Sequence, residues 1–326
     1  MNSSPENLNT DLVYQKAILS SVSRTFALNI PLLPPAIEIV VGNTYLLCRI
    51  VDTIEDAVEI SPIEKQDLSK LFLDVVLGAT PPVSFVTPCL TALREHSNID
   101  ELDLIAHTPT VVRILRTLPI QDQAAINRCV SLMSEGMSHF HNRQSRAGLQ
   151  DLAEFEKYCY VVAGVVGELL TTIFSHHSAE FARNIYGKEQ LALDFGQALQ
   201  MTNILKDSPE DHARGVSWKP AQMSQAELLK IAYQKLQSSL SYIVLIPKKE
   251  FGMRRFCFLA FGLAVMTLEK IAAKQELDEK SLAKLSRNTV WIFYGFAKVA
   301  ARNDFLIKSF FYTASTRLRK LAAVSD

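Results

Sequence analysis

The sequence predicts an all-α protein, and three observations support that class. Glycine and proline are sparse, at 12 and 13 of 326 residues. Alternating β-branched runs with hairpin turns are scarce, whereas apolar residues recur with the period of a helix along most of the chain. Hydrophobic residues make up 48% of the sequence, which is enough for a large core. Because no linker, low-complexity tract or long repeat is visible, we expect one domain over residues 1–326.

Prolines separate the helical segments. Ser61-Pro62-Ile63-Glu64 predicts a helix start, since it places an N-cap serine, a first-turn proline and an acid in order. Residues 80–108 are the least regular stretch. The periodicity predicts helices at about 10–29, 35–59, 62–78, 109–118, 121–142, 150–178, 186–208, 222–243, 250–275, 278–302 and 304–321.

Composition excludes several functional classes. Lysine plus arginine and aspartate plus glutamate both number 34, so no net charge attracts nucleic acid. The five cysteines are dispersed without CxxC spacing, which argues against a zinc site or a disulfide framework and favours a cytoplasmic location. Residues 1–11 do not resemble a signal peptide. The longest apolar run, residues 256–268, is shorter than the ~20 residues of a spanning helix, which favours a core helix.

Two acidic motifs about 150 residues apart carry the functional information. Each has Asp at i and i+4 and Glu at i+3, which places the carboxylates on one helical face, where they repel one another. They are Asp52, Glu55 and Asp56, and Asp207, Glu210 and Asp211. Two such clusters within apolar helices predict a cation shared between facing helices. Oxygen ligands favour Mg²⁺ completed by substrate phosphates, so we expect a Mg²⁺-dependent enzyme acting on a diphosphate.

The first motif extends backwards into a polar stripe. Tyr45, Arg49, Asp52 and Asp56 lie at i, i+4, i+7 and i+11 on an otherwise apolar helix. Such a stripe must face water or a polar cavity, because buried unpaired charge is very costly. The alternative is a solvated surface stripe in which Arg49 contacts Asp52 or Thr53.

The second motif extends in the same way, through Gln200 and Asn203. The Asn203 side chain offers a carbonyl oxygen to a metal or a hydrogen bond to a carboxylate, and Lys206 and Arg214 are suited to diphosphate oxygens. Pro209 removes one helical hydrogen bond and should bend or end the helix. In the alternative, Pro209 marks the helix end and Asp211 lies in a loop.

These residues supply the parts for ionising an allylic diphosphate. The cation neutralises the developing charge of the leaving group, and the bases Arg24, Arg49, Lys206 and Arg214 bind its oxygens. Apolar and aromatic walls then shelter a carbocation from water, and the chain has 17 Phe and 9 Tyr to build them.

Four strings occur in a fixed order from residue 23 to about residue 220. They are Ser23-Arg24-Thr25-Phe26, Asp52-Thr53-Ile54-Glu55-Asp56, Tyr158-Cys159-Tyr160-Val161-Val162-Ala163-Gly164-Val165-Val166-Gly167 and Gln200-Met201-Thr202-Asn203-Ile204-Leu205-Lys206-Asp207. Together they resemble the squalene/phytoene synthase family of head-to-head prenyltransferases. The third string and Phe256-Cys257 look most like its squalene-forming branch. The resemblance implies the isoprenoid synthase fold, with helices around a central cavity and two facing Asp-rich motifs.

The resemblance also implies a two-step reaction. Two farnesyl diphosphates condense to presqualene diphosphate, which hydride from NADPH reduces to squalene. The implied Mg²⁺ ligands are Asp52, Asp56, Asp207 and Asp211, supported by Glu55, Glu210 and Asn203. The implied substrate-binding residues are Ser23, Arg24, Phe26, Arg49, Gln200, Asn203, Lys206, Arg214 and Phe256. Tyr45 and Tyr158 would lie beside the reacting carbons, with Tyr158 a candidate for proton handling.

Some features depart from the family or leave alternatives open. Val216 stands where relatives commonly carry Arg, and Arg214 is the candidate replacement. Without a GxGxxG motif, NADPH would bind in the helical cavity, with Lys284 and Arg287 as candidate phosphate-binding bases or as surface charges. Residues 287–320 mix aromatics with bases and would pack on the core or rest on a membrane surface.

The alternatives to a squalene-forming enzyme are a phytoene or dehydrosqualene synthase without hydride transfer, a terpene cyclase, and a non-catalytic assembly protein. Four Asp residues at the motif positions argue against the last of these. We expect a monomer.

Overall fold

The computed structural model describes residues 5–23, 25–57, 60–141, 145–276 and 283–323. In those ranges all regular structure is helical, apart from one isolated bridge between Leu149 and Pro220, so the all-α prediction is confirmed. The chain divides into two compact units, Met1–Asn142 and Arg143–Asp326. The single domain expected over residues 1–326 stays a prediction.

The first unit is built around helix α3, which packs against α1, α4, α6, α7 and α8. The elements are α1 (Pro5–Val22), α2 (Phe26–Asn29), a 3₁₀ turn (Ile30–Leu32), α3 (Pro35–Asp56), α4 (Pro62–Leu77), α5 (Val83–Leu93), α6 (Ile99–Ala106), α7 (Thr108–Thr117) and α8 (Ile120–His141). The predicted start of α4 is confirmed, because the Ser61 hydroxyl accepts a hydrogen bond from the Glu64 amide at 3.2 Å. The helix ends at Gly78, whose φ of 85° favours glycine.

The stretch 80–108 is more regular than the sequence suggested. It contains α5, which has Pro88 inside it, and α6. Helix α6 begins with a capping box in which Asn98 and Glu101 satisfy each other's backbone amides. The sequence did not indicate α5, because proline ordinarily interrupts a helix. The helix expected over 10–29 was also wrong in extent, since α1 ends at Val22 and α2 is a separate turn.

The second unit is built around helix α12, which packs against α9, α10, α13, α14 and a π-helical turn. The elements are α9 (Leu152–Cys159), the π turn (Tyr160–Gly164), α10 (Val165–His177), α11 (Ala179–Ile185), α12 (Gln190–Ala213), α13 (Gln225–Leu245), α14 (Phe251–Glu276), α15 (Arg287–Ala300), α16 (Asp304–Ala314) and α17 (Thr316–Ala323). Of the helix expected over 278–302, residues 278–282 lie outside the described residues. The helix expected over 304–321 breaks at Ser315.

Helix α12 does not end at Pro209, so the predicted end at residue 208 was wrong. The helix runs through Pro209 to Ala213 and ends before Gly215, whose φ is 82°. There the amide of Gly215 donates to His212 O and the amide of Val216 to Asp211 O, as in a Schellman cap. Asp211 therefore lies in the helix, in register with Asp207, and the loop alternative is excluded.

Glycines allow α12 to approach the π turn and α10 closely. A Cβ on Gly167 would lie 2.1 Å from Ala192 O, and one on Gly196 would lie 2.1 Å from Ala163 O. The family resemblance implies that small residues at Gly164 and Gly167 let a long prenyl chain approach the backbone closely. The approaching group at Gly167 is instead the backbone of α12. At Gly164 it is the Tyr160 ring, which would lie 2.8 Å from a Cβ on that glycine.

Two helical segments are long and apolar enough to span a membrane by length and composition, Leu152–His177 and Phe251–Gln275. Half of the apolar window of the first and 67% of that of the second are buried within the protein. Both pack against α12, which agrees with the expected core helix at residues 256–268.

The C-terminal helices show both features considered for residues 287–320. Phe293 and Phe311 are buried, and the ring centroids of Phe293 and Phe310 are 4.8 Å apart. Trp291 and Phe305 are 56% and 73% exposed. One face therefore packs on the core, and contact of the other face with a membrane stays a prediction.

Candidate active site

Helix α3 presents the predicted polar stripe on an otherwise buried helix. Leu46, Leu47, Ile50 and Ile54 are completely buried. Asp52 is half-buried, and Asp56 is exposed as the last residue of the helix. Both acids lie near the C-terminal end of α3, where the helix dipole disfavours negative charge, and its last turn contains no base.

The electrostatics of Asp52 are suited to a cation. Burial, followed by the neighbouring Asp56, raises the pKa of the Asp52 carboxyl from 3.8 to about 8. Arg49 opposes this shift, and Glu101 adds to it. In the metal-free protein the ionised form of Asp52 is therefore disfavoured, because burial and the neighbouring Asp56 carboxylate both oppose its charge. Two carboxylates so placed are appropriate donors for a hard divalent cation such as Mg²⁺.

The guanidinium of Arg49 is held by a residue that the sequence analysis missed. Its Nη2 forms an ion pair with Glu101 Oε1 on α6, whereas Thr53 Oγ1 donates to the Arg49 carbonyl oxygen at 2.8 Å. Nε of Arg49 is buried and has no hydrogen-bond partner among the described residues. The only sequence signal for Glu101 is its capping box with Asn98, which does not indicate a partner 52 residues away.

Tyr45 lies with the residues of the first string. Its hydroxyl donates to Val22 O at 3.2 Å, and its ring centroid is 5.3 Å from that of Phe26. The amide of Phe26 donates to Ser23 Oγ at 3.0 Å. Burial raises the pKa of Tyr45, which is therefore a neutral phenol at ordinary pH. Arg24 lies outside the described residues.

Glu55 has a partner within the fold. It is 2% exposed, and its Oε1 accepts from Ser69 Oγ at 3.0 Å, which joins α3 to α4. Lys65 Nζ donates to the Glu55 carbonyl oxygen at 2.5 Å. The structure thus gives Glu55 a packing role, and its support of a metal stays a prediction.

The second motif, in the other unit, is paired with bases at every acid. Lys206 Nζ lies 3.3 Å from Asp207 Oδ2 and 3.4 Å from Asn203 Oδ1. Arg214 Nη2 lies 2.5 Å from Asp211 Oδ1. The first motif differs, because the Arg49 guanidinium pairs with Glu101, which lies outside the motif.

Lys284, expected at a cofactor phosphate, completes this pairing. Its Nζ lies 2.7 Å from Glu210 Oε1, and it lowers the pKa of that carboxyl. Burial raises the pKa of Asp207, against the effect of Lys206. Arg287 is exposed at the first position of α15.

Tyr158 is stacked on an aromatic residue that the sequence analysis did not select. It is 5% exposed, and its ring lies parallel to that of Trp218, with centroids 4.3 Å apart and planes 4° apart. Trp218 lies between α12 and α13, where no helical periodicity in the sequence indicates which residues it contacts. Among the other predicted substrate-binding residues, Gln200 is half-buried, and Phe256 is 4% exposed with its ring edge-on to Phe174 at 6.3 Å.

Within the described ranges, no group of three or more His, Cys, Asp or Glu side chains is close enough to bind a metal. The predicted ligands are divided between the two units, with Asp52 and Asp56 in one and Asn203, Asp207 and Asp211 in the other. Their assembly around a shared cation stays a prediction.

Comparison with known proteins gives consistent relatives. A family described as squalene/phytoene synthase matches residues 19–232, a range that contains both acidic motifs. The squalene synthase clz20 of Cochliobolus lunatus is 30% identical over 196 residues, 60% of this chain and 44% of that protein. The squalene synthase of Saccharomyces cerevisiae is 29% identical over 209 residues, 63% of this chain and 45% of that protein. The alignments thus span less than half of these relatives.

Solved structures share the fold. The structure of TcSQS with the ligand E5700 has a TM-score of 0.76 at 20% identity and covers 95% of this chain and 99% of that one. A dehydrosqualene synthase in complex with ligand has a TM-score of 0.62 at 19% identity and covers 94% and 99%.

Proposed function

The chain belongs to the squalene/phytoene synthase family and has its all-α isoprenoid synthase fold, and from that premise we propose that it condenses two farnesyl diphosphates to presqualene diphosphate and reduces this intermediate with NADPH to squalene. The observation that carries the proposal is the family match across residues 19–232, because that range includes both acidic motifs and the strings between them. The chain spans less than half of the curated relatives named above, so activity and substrate are proposals.

In the condensation, we assign the residues by their surroundings. Asp52 and Asp56 would hold Mg²⁺ in the first unit, and Asp207 and Asp211 in the second. When bound, Mg²⁺ neutralises charge on the diphosphate leaving group. Arg49 would donate its unpartnered Nε to a diphosphate oxygen while Glu101 orients the guanidinium.

In this proposal each of the two tyrosines, one in each unit, has its own role. Tyr45, with its hydroxyl tied to a backbone carbonyl, would present a neutral ring face to a developing carbocation. Tyr158 would hold or move a proton at its phenolic oxygen while the Trp218 ring fixes its orientation.

The reductive half is the finer part of the proposal. It is supported by the squalene synthases among the curated relatives. Lys284 is less suited to a cofactor phosphate than expected, since it already pairs with Glu210. Arg287 is the better candidate, because it is exposed and has no ion pair within the described residues.

The test is incubation of the chain with farnesyl diphosphate and Mg²⁺, with and without NADPH, followed by identification of products by mass spectrometry. We expect presqualene diphosphate or dehydrogenated or hydroxylated C30 products without NADPH, and squalene with it. Dehydrosqualene under both conditions would identify the second candidate, a dehydrosqualene synthase, an enzyme of which one solved structure shares the fold of this chain. No C30 product under either condition would favour a non-catalytic assembly protein.

The metal assignment has its own control. Asp52→Asn and Asp207→Asn should each lower turnover at least ~10²-fold, because each removes charge stabilisation in the transition state. Near-wild-type turnover in both variants would contradict the assignment. The exposed Asp67 on α4 provides a matched substitution, Asp67→Asn, which should leave turnover unchanged.

A further inference from the structure

A small recess lies beside Asp211 in the second unit. It has a volume of about 90 Å³ and is lined by one face of α12 and by the loop that follows, including Ser208, Asp211, Ser217, Trp218 and Lys219. Because a water molecule occupies about 30 Å³ of liquid, the recess holds about three waters. That size suits a single phosphoryl group and excludes a prenyl chain.

Lys219 is a half-buried base of this recess, which the exposed His212 also lines. Its ammonium has no hydrogen bond or ion pair within the described ranges, although the residue is half-buried and burial lowers its pKa. Its backbone is fixed on both sides, since its amide donates to Ser217 Oγ at 3.3 Å and its carbonyl accepts from the Leu149 amide at 3.1 Å. A partly desolvated cation without a partner is costly, and an anion would offset that cost.

Two other bases near the second motif already have partners. Arg214 pairs with Asp211, and its side chain is 69% exposed, so the expected replacement for the arginine missing at position 216 is already engaged by a carboxylate. Lys206 pairs with Asp207. The Arg214 pair also neutralises Asp211, so this acid does not leave the recess with uncompensated negative charge.

Arg146 is a further base close to the end of α12. Its Nε would lie 3.3 Å from a Cβ on Gly215, next to Val216. Arg146 is exposed, however, and does not line the recess. It therefore serves as a matched control for Lys219.

We propose that Lys219 binds a phosphoryl oxygen of the substrate diphosphate, with the hydroxyls of Ser208 and Ser217 as further donors. Lys219 would thus take the role of the arginine that relatives commonly carry at the position of Val216. The inference rests on the proposed function for the identity of the substrate, whereas the site itself requires only a diphosphate. An ammonium acts as a point charge and does not need the bidentate geometry of arginine, so its different position along the loop is compatible with the task.

The test measures the affinity of inorganic pyrophosphate for the full chain by isothermal titration calorimetry, in the presence of Mg²⁺. Lys219→Met removes the charge and keeps the aliphatic stem, and it should weaken binding at least ~10-fold, as expected for loss of a charge-assisted hydrogen bond. Lys219→Arg should restore most of the affinity, and Arg146→Met should bind as the wild type does. Wild-type affinity in Lys219→Met, or a larger loss in Arg146→Met, would overturn the proposal, as would a wild-type chain that does not bind pyrophosphate.

A second measurement uses the wild-type chain and does not depend on how the variants fold. Pyrophosphate should protect Lys219 from amine acetylation and leave the exposed Lys188 reactive, as read by peptide mass spectrometry. Unchanged labelling of Lys219 would overturn the proposal.

The two proposals fail in different ways. If the wild type forms C30 products while Lys219→Met retains both pyrophosphate affinity and the KM for farnesyl diphosphate, the Lys219 inference is wrong and the function stands. If pyrophosphate binding depends on Lys219 while the wild type forms no C30 product, the inference stands and the proposed function is wrong.

Discussion

Replacing Asp52 by asparagine should stabilise the metal-free protein while removing its response to Mg²⁺. Asparagine has nearly the shape of a protonated aspartate and carries no charge. In the folded protein, burial and Asp56 disfavour the ionised form of Asp52, which is the reason its pKa rises to about 8. In the unfolded chain the same carboxyl ionises freely near its ordinary value. Folding therefore works against the charge of Asp52 at neutral pH.

The magnitude follows from the shift in pKa. The rise of the pKa from 3.8 to about 8 corresponds to a loss of folding stability of at most roughly 5–6 kcal/mol, at ~1.36 kcal/mol per pKa unit. Asp52 is only half-buried, so water and salt screen the interaction, and we expect about 1–2 kcal/mol. Because the folded-state pKa is the higher one, the wild-type stability from this group is full below about pH 4 and is lost as the pH rises to about 8. The difference in the free energy of unfolding between Asp52→Asn and the wild type should therefore grow over that pH interval and be constant above it.

The assay is urea unfolding in EDTA at a series of pH values, repeated with excess Mg²⁺. The exposed Asp67 supplies the control Asp67→Asn, which should follow the wild type at every pH. Mg²⁺ should raise the free energy of unfolding of the wild type and the control more than that of Asp52→Asn. An Asp52→Asn protein that is less stable than the wild type at pH 8 in EDTA would refute the reasoning, because Asp52 would then be stabilised as a carboxylate without metal.

Three further substitutions test the rest of the site. Arg49→Lys keeps the charge and loses the planar fork that pairs with Glu101, so kcat/KM for farnesyl diphosphate should fall at least ~10-fold, and an unchanged value would assign Arg49 to a surface role. Gly167→Ala places a Cβ 2.1 Å from a carbonyl oxygen of α12, so the free energy of unfolding in urea should fall by about 3 kcal/mol. An unchanged unfolding midpoint would contradict that contact. Trp218→Leu removes the ring stacked on Tyr158, which should cost about 1 kcal/mol of stability and reduce turnover more than Trp218→Phe does, and equal turnover in the two would separate the stack from catalysis.

Local sequence chemistry was sufficient for some elements and misleading for others. The serine cap of α4 was predicted correctly because capping depends on four consecutive residues. The end of α12 was not, since a proline inside a helix and a proline at its end look alike in sequence. The deciding features are the Schellman hydrogen bonds around Gly215, which keep Asp211 in the helix.

By itself, the sequence determined the helical class and the register of the acidic motifs, because periodicity reports which side of a helix a residue occupies. It also carried the strings that match the family. Only the tertiary structure decided which residues meet across those faces. Glu101 pairs with Arg49, and Trp218 stacks on Tyr158. Lys219 lines a recess, and its ammonium has no partner among the described residues. Such contacts depend on how helices pack and how loops close, and a residue's spacing along its own helix does not specify the distant side chain that it meets.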